Sequence, residues 1–137
     1  MNVFKSIGSV VVGLVTGMAI VIGLTYLATI LFFEGDFNAS PTDLYLVLNI
    51  AYSFGAAILA GWVAGRLAGK KPLAHAAGVA VIMLVLSVGG GGDSDAGAGV
   101  PGWYGPFLML FMPVGALLGG WIGGRRMSQS LSEAEPG

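Results

Sequence analysis

The amino-acid sequence predicts an all-α fold: a polytopic membrane protein built as a bundle of four transmembrane helices. Apolar residues make up 55% of the 137 residues, and the mean hydropathy is +0.85. Charged residues make up only 9%, whereas a soluble domain carries about 25% because its surface faces water. Four stretches contain no Asp, Glu, Lys or Arg, and each is long enough for the roughly 20 apolar residues of a membrane-spanning helix. They are 6–33, 44–65, 72–92 and 96–124.

The four predicted helices cover 8–33, 43–66, 72–88 and 105–124, after polar and glycine-rich ends are trimmed from these stretches. Together they form a single four-helix transmembrane domain, 1–126, which is all that a chain of this length accommodates. The first helix is expected to be retained, because its apolar run far exceeds the roughly 7–15 residues of a signal-peptide core. The polar segment 127–137 is expected to be a disordered cytoplasmic tail.

Turn-forming residues mark several helix ends. Thr42 is a suitable N-cap for the second helix, because its hydroxyl can accept a hydrogen bond from a backbone N–H of the first turn. Gly69 and Pro72 are suited to end the second helix and open the third, which predicts a tight antiparallel hairpin. The glycine-rich segment 89–102 predicts a flexible loop before the fourth helix.

Pro113 falls in the middle of the fourth predicted helix. Proline has no N–H donor, so the Met109 carbonyl loses its usual partner and a bend is expected there. The bend has two interpretations, which are a static packing feature and a hinge that moves during function.

Charge asymmetry between the loops predicts the orientation in the membrane. Basic residues in short loops mark the cytoplasmic side, and here all six basic residues fall on one side of the predicted helices. With an even number of spans, the N- and C-termini are both expected to be cytoplasmic. The basic residues are Lys5, Arg66, Lys70, Lys71, Arg125 and Arg126, and the opposite loops contain Glu34, Asp36, Asp43, Asp93 and Asp95.

Aromatic residues flank the predicted spans at both membrane boundaries. Trp62 and Trp121 lie at the inner ends, and Tyr45, Trp103 and Tyr104 lie at the outer boundary. Amphipathic rings are enriched at the headgroup level, so the sequence predicts that these residues anchor the helices in the bilayer.

The second and fourth predicted helices contain similar segments. Residues 60–66 (AGWVAGR) align with residues 119–125 (GGWIGGR), an offset of 59 (119 minus 60). The similarity fits a duplicated helical hairpin, which would form a parallel repeat. It also fits convergence, since both helices end at the same membrane face.

Small residues recur at every fourth position on three predicted helices, and the fourth helix carries two such rows. Each row forms a groove on one helix face, and close backbone approach along such grooves is a main source of packing energy in membranes. Two interpretations remain open: the rows pack the four helices together, or one row on the fourth helix forms an oligomer or partner interface. The residues predicted to form these surfaces are Gly13, Gly17, Ala57, Gly61, Gly65, Gly115, Gly119, Gly120, Gly123 and Gly124.

Three polar side chains are expected within the membrane. Asn49 lies one turn before Ser53 on the small-residue face of the second helix. An amide in hydrocarbon requires a hydrogen-bond partner on another helix or a water-filled cavity. His75 lies near the basic turn at the start of the third helix. An interfacial or carbonyl-bonded histidine is favoured there over a role in acid–base chemistry or gating.

Residue types needed for catalysis or metal binding are scarce. The chain has no cysteine and one histidine, so a metal site based on those side chains lacks ligands. Asp93 and Asp95 lack the further carboxylates that calcium requires. No nucleophile–base pair and no phosphate-binding loop is recognisable, so the sequence predicts neither an enzyme nor a cofactor.

Residues 64–76 (AGRLAGKKPLAHA) combine small residues, an arginine, two lysines and a histidine in one predicted hairpin. With the pair Trp103–Tyr104 and the ending Gly119–Gly120–Trp121, this pattern resembles a group of small four-helix inner-membrane proteins of bacteria. The resemblance covers the second half of the chain better than the first. It implies a location in the bacterial inner membrane and implies no catalytic or binding site.

Two functions are compatible with these features. The first is a structural or accessory subunit that packs through its glycine faces against itself or a larger membrane complex. The alternative is an oligomeric channel or small-solute permease, in which Asn49, the threonines and Pro113 line or bend a pathway. The lipid bilayer is an expected partner in both cases. The net charge of −1 does not favour nucleic acid.

Overall fold

The computed structural model describes residues 3–90 and 100–134, and this part of the chain is all-helical. Four helices follow one another: α1 (Val3–Phe33), α2 (Asp43–Ala68), α3 (Pro72–Gly90) and α4 (Tyr104–Ala134). Three of them, α1, α2 and α4, are long and apolar enough to cross a membrane, whereas the apolar stretch of α3, Pro72–Ser87, is shorter. The centre of the predicted glycine-rich loop, with Asp93 and Asp95, and residues 135–137 lie outside the described residues.

The predicted turn residues act at the ends of α2 and α3. Thr42 caps α2, and its hydroxyl accepts a hydrogen bond of 3.3 Å from the backbone N–H of Tyr45. Gly69 ends α2 with a φ of 68°, in the left-handed region that glycine adopts without steric cost. Pro72 then opens α3, where its missing N–H costs nothing because the first turn has no acceptor for it.

All four helices are longer than the sequence predicts, α2 and α3 by two residues at their C-terminal ends and α1 and α4 by more. α1 begins at Val3 rather than at residue 8, and α4 continues to Ala134 rather than ending at residue 124. The segment expected to be a disordered tail is therefore helical as far as Ala134. Its serine hydroxyls bond back to the preceding turn, with Ser128 donating to the Gly124 carbonyl and Ser130 to the Arg126 carbonyl. Such bonds satisfy the side chains without interrupting the helix.

The helices α2 and α4 form the centre of the bundle and share its most extensive contact. Phe54 of α2 lies against Gly115 of α4. Two turns further along both helices, Trp62 lies against Gly123, so α2 and α4 run in the same direction. α1 packs mainly on α2, and α3 packs on α4 and α2. The two similar segments of the sequence therefore lie side by side, flanked by α1 and α3.

Small side chains fill the interior of the bundle. The largest fully buried side chain among the described residues is Val79. A bundle with an interior of this kind brings helix backbones close together, as small-residue helix packing requires. The core cluster consists of Ala57, Ala60, Ala64, Val79, Ala80, Met83 and Ala116.

Large apolar side chains lie mainly on the outside of the bundle. Phe4, Leu31 and Leu110 are exposed by 90%, 71% and 63%, and similar residues occur on all four helices. Soluble monomers rarely expose contiguous apolar patches larger than a few hundred Å². A small-residue interior with a large-residue exterior is compatible with a lipid surrounding.

Candidate functional site

The glycine rows of α2 and α4 form one close helix contact. A Cβ atom on Gly61 would overlap the backbone carbonyl of Ala116, and a Cβ atom on Gly119 would overlap the carbonyl of Ile58. At both positions the obstacle is backbone, which cannot rotate away as a side chain can. The two helices are therefore in backbone-to-backbone contact, and we call this contact the α2–α4 seam.

Two further members of the same rows line the α2–α4 seam. A Cβ atom on Gly115 would lie 3.1 Å from the Cβ of Ala57, which is itself fully buried. One on Gly123 would lie 3.3 Å from the Trp62 ring. The row Gly115–Gly119–Gly123 is thus occupied along its whole length by α2.

The second glycine row of α4 faces the start of α3. A Cβ atom on Gly120 would overlap the Cβ of Ala76, and one on Gly124 would lie 2.8 Å from the Pro72 ring. Gly65 of α2 approaches the same proline, with 3.1 Å between its added Cβ and the Pro72 Cβ. The turn between α2 and α3 therefore fits into a groove made by glycines of α2 and α4.

The glycines of α1 receive α2. A Cβ atom on Gly13 would lie 2.6 Å from the Ala60 carbonyl oxygen and 2.8 Å from the Ala64 Cβ. One on Gly17 would lie 2.9 Å from the Ala60 Cβ. With these contacts, each of the ten small residues predicted to form packing or oligomer surfaces lies against another helix of its own chain. Both rows of α4 are occupied in this way.

Asn49 is the centre of a polar network that joins α2 to α4. Its side-chain oxygen accepts a hydrogen bond of 2.5 Å from the Tyr104 hydroxyl, and its amide nitrogen donates to the Tyr52 hydroxyl. The Ser53 hydroxyl also points to the Asn49 oxygen, at 3.5 Å. The sequence predicts either a partner on another helix or a water-filled cavity for this amide, and in the structure Tyr104 of α4 is a partner on another helix.

The same network extends to α1. The Thr25 hydroxyl lies 2.8 Å from the Tyr52 hydroxyl, and Thr29 lies 3.3 Å from the Tyr45 hydroxyl. Three helices are therefore tied together near the predicted outer boundary. The sequence predicts Tyr104 only as a membrane anchor, and its place in the hydrogen-bond network comes from the structure. The spacing of Tyr45, Asn49 and Tyr52 at three and four residues was the available signal, because it places them on one helix face.

His75 joins α3 to α1 at the opposite end of the bundle. It is buried, its Nδ1 lies 3.0 Å from the Lys71 carbonyl oxygen, and its Nε2 lies 2.6 Å from the Ser6 hydroxyl. A carbonyl can only accept, so Nδ1 donates to Lys71, and Nε2 forms the second hydrogen bond with the Ser6 hydroxyl. Ser6 and His75 are 69 residues apart in sequence, so no local motif predicts this hydrogen bond. The pair lies in the contact between α1 and α3 and joins these helices.

Two further predicted features are the bend at Pro113 and the lack of metal ligands. α4 continues on both sides of Pro113 as one helix, and the proposed hinge stays a prediction. Among residues 3–90 and 100–134, no three histidine or acidic side chains cluster in a way that could hold a metal ion.

A lateral cleft of about 300 Å³ opens between α1 and α3, the pair of contacting helices that touch least. Its walls are almost entirely apolar and include three methionines, one from each of α1, α3 and α4. Methionine is flexible and polarisable, so such walls adapt to the shape of an occupant. The cleft is lined by Met18, Ile22, Ala56, Met83, Leu86 and Met112, among others.

Comparison of the chain with protein-family models, with curated proteins and with solved structures found no match. Its function must therefore be inferred from its own geometry.

The two polar regions of the bundle are separated by an apolar core. The network around Asn49 extends inward as far as Ser53, and the pair of Ser6 and His75 lies at the other end. Between them, Ala60 and Val79 are fully buried. Within the described part of one chain, the polar groups do not form a continuous path across the bundle. What the bundle offers is a close-packed core and a lateral cleft.

Proposed function

We propose that this chain is an integral membrane protein of the bacterial inner membrane with four spans and cytoplasmic N- and C-termini. The observation that carries the proposal is the distribution of side-chain size, with glycine, alanine and serine inside and large apolar residues outside. Lipid tails solvate large apolar side chains well, whereas close packing of helices in lipid depends on small residues. The one-sided basic residues support the orientation.

The short helix α3 fits the proposal as a fourth span. It contains 19 residues, which corresponds to a length of about 28 Å at 1.5 Å per residue. This length is close to the roughly 30 Å of a bilayer core. Lys70 and Lys71 immediately precede it and suit the headgroup level, where long basic side chains reach the interface.

Within this architecture, the chain serves as a structural or accessory subunit of a larger membrane complex. The glycine rows are occupied inside the chain, so a partner requires a different surface. The lateral cleft between α1 and α3 suits a transmembrane helix of the partner that inserts aliphatic side chains. The partner-binding surface is therefore the cleft and not the glycine faces predicted from the sequence. The proposed role as a structural or accessory subunit is the same.

The proposed role predicts a partner that depends on the cleft. We expect the chain, extracted from its native membrane in a gentle detergent, to co-purify with a stoichiometric membrane protein identifiable by mass spectrometry. Leu86→Trp should fill the cleft and reduce recovery of the partner about tenfold, since close packing at a helix contact is lost. The matched control is Leu110→Trp, on an exposed site of α4 outside the cleft.

Two outcomes would overturn the accessory role. Equal recovery of the partner with Leu86→Trp and Leu110→Trp would remove the cleft as the binding surface. A clean homo-oligomer without other proteins would favour the oligomeric channel or permease. In that case solute flux through the reconstituted protein in liposomes would be measured next.

A further inference from the structure

A second groove runs along the outside of α3 and α4, and its lining changes from partly polar at one end to wholly apolar at the other. Its inner part, of about 360 Å³, is lined by Arg125 and Ser128 together with glycines and the apolar side chains of Pro72, Leu73, Trp121 and Leu131. Its outer part, also about 360 Å³, is lined by apolar side chains alone. The two parts share Leu73 and Trp121, so they form one continuous groove, which we call the α3–α4 groove. The inner part includes Gly69, Pro72, Gly124, Arg125 and Ser128, and the outer part includes Val114, Leu117 and Leu118.

Positive charge is concentrated at the inner end of the α3–α4 groove. The Arg125 guanidinium lies over the Trp121 ring at 3.8 Å from its centroid, and remains exposed. Lys70 and Lys71 are exposed in the turn between Gly69 and Pro72, which themselves line the groove. The Ser128 hydroxyl, one turn beyond Arg125, donates its proton to the Gly124 carbonyl, so the positive charge of the groove comes from the basic side chains.

We propose that the α3–α4 groove binds an anionic phospholipid of the cytoplasmic leaflet. The phosphate contacts Arg125 and the lysines of the turn, and an acyl chain follows Leu73, Leu117 and Leu118. Basic pockets between transmembrane helices at the cytoplasmic side are suited to such headgroups, and the arginine fork matches the geometry of a phosphate. The proposal rests on the membrane orientation proposed above but does not depend on the accessory role.

The similar segment in α2 provides an internal contrast. Arg66 lies over Trp62 at 4.9 Å, as Arg125 lies over Trp121. The Trp62 ring, however, packs against Gly123 of α4, whereas Trp121 is 47% exposed beside the open groove. The same Trp–Arg pair thus occurs twice at the same end of the bundle, and only the pair of Trp121 and Arg125 lines the α3–α4 groove. Arg66 is therefore a matched control for Arg125.

Lipid retention by the purified full-length protein tests the proposal. The probes are phosphatidylglycerol and phosphatidylcholine with identical acyl chains, and the bound lipid is counted by native mass spectrometry. We expect wild type to retain phosphatidylglycerol preferentially, and Arg125→Gln to lose about fivefold in affinity, since each basic residue near the surface contributes. Arg66→Gln should stay within about twofold of wild type, because Arg66 does not line the α3–α4 groove.

Any other outcome contradicts either lipid binding in the α3–α4 groove or the proposed placement of the chain in the membrane. Equal losses in Arg66→Gln and Arg125→Gln would assign the lipid preference to general surface charge. Equal retention of the two lipids would exclude headgroup recognition. Circular dichroism of each variant separates these results from unfolding. Recovery of the chain outside the membrane fraction would instead contradict the proposed membrane placement, and this result is distinguishable from a loss of lipid preference.

Discussion

Alanine at Gly61 or Gly119 is expected to lower the stability of the bundle by about 1–3 kcal/mol, and leucine by more, because overpacking a close contact forces backbone shifts. The added Cβ would meet the backbone of the facing helix in both cases. Gly55→Ala is the matched control in α2, because a Cβ atom there has open space around it. It should be neutral or stabilise by up to about 1 kcal/mol through the higher helix propensity of alanine.

The measurement is unfolding by a denaturing detergent in mixed micelles, followed by the fluorescence of the three tryptophans. Equal effects of Gly55→Ala and Gly119→Ala would contradict the α2–α4 seam.

Bulky substitutions at Gly119 or Gly120 are poor tests of oligomerisation. Because both residues pack inside the chain, a loss of oligomers would also follow from unfolding.

Substitution of Asn49, the centre of the polar network, is expected to have the second-largest effect on the stability of the bundle. Asn49→Ala leaves the Tyr104 hydroxyl without its partner and should cost about 1–3 kcal/mol, the range for a buried polar group left unsatisfied. Tyr104→Phe removes the other side of the same bond and should cost about 0.6–2 kcal/mol, the range for interhelical hydrogen bonds in membranes. The same detergent titration measures both.

Coupling between the two substitutions identifies the network. The double variant Asn49→Ala/Tyr104→Phe should lose less stability than the sum of the losses in the two single variants, because each single substitution removes the same Asn49–Tyr104 hydrogen bond. Tyr26→Phe is the matched control, since the Tyr26 side chain is exposed by 57% and lies outside the network. Additive single effects, or an equal effect of Tyr26→Phe, would show that Asn49 and Tyr104 act separately.

Local signals allowed much of the helical framework to be predicted from sequence. Thr42, Gly69 and Pro72 mark their helix ends through backbone chemistry that depends on neighbouring residues alone. The end of α4 was misplaced because the transmembrane prediction relied on apolar composition, and the last turns up to Ala134 are polar. A polar helix that extends beyond an apolar one carries no hydrophobic signal of its own.

Contacts between helices could be predicted only in part. A row of small residues such as Gly115–Gly119–Gly123 identifies a groove, but the row does not say which helix fills it. The partnership of Ser6 with His75 depends on how α1 and α3 pack, and no local pattern contains that information. The cleft between α1 and α3 arises from the same arrangement, and helical periodicity in a single sequence does not report it.

The orientation of four spans is the central claim, and cysteine accessibility tests it most directly. The chain has no cysteine, so single substitutions Asn38→Cys, Lys70→Cys, Gly102→Cys and Ser130→Cys report one position each. A membrane-impermeant maleimide applied to intact spheroplasts should label positions 38 and 102, and should label 70 and 130 only after permeabilisation. If α3 does not cross the membrane, position 102 will be protected and position 130 labelled from outside, and the four-span account will be wrong.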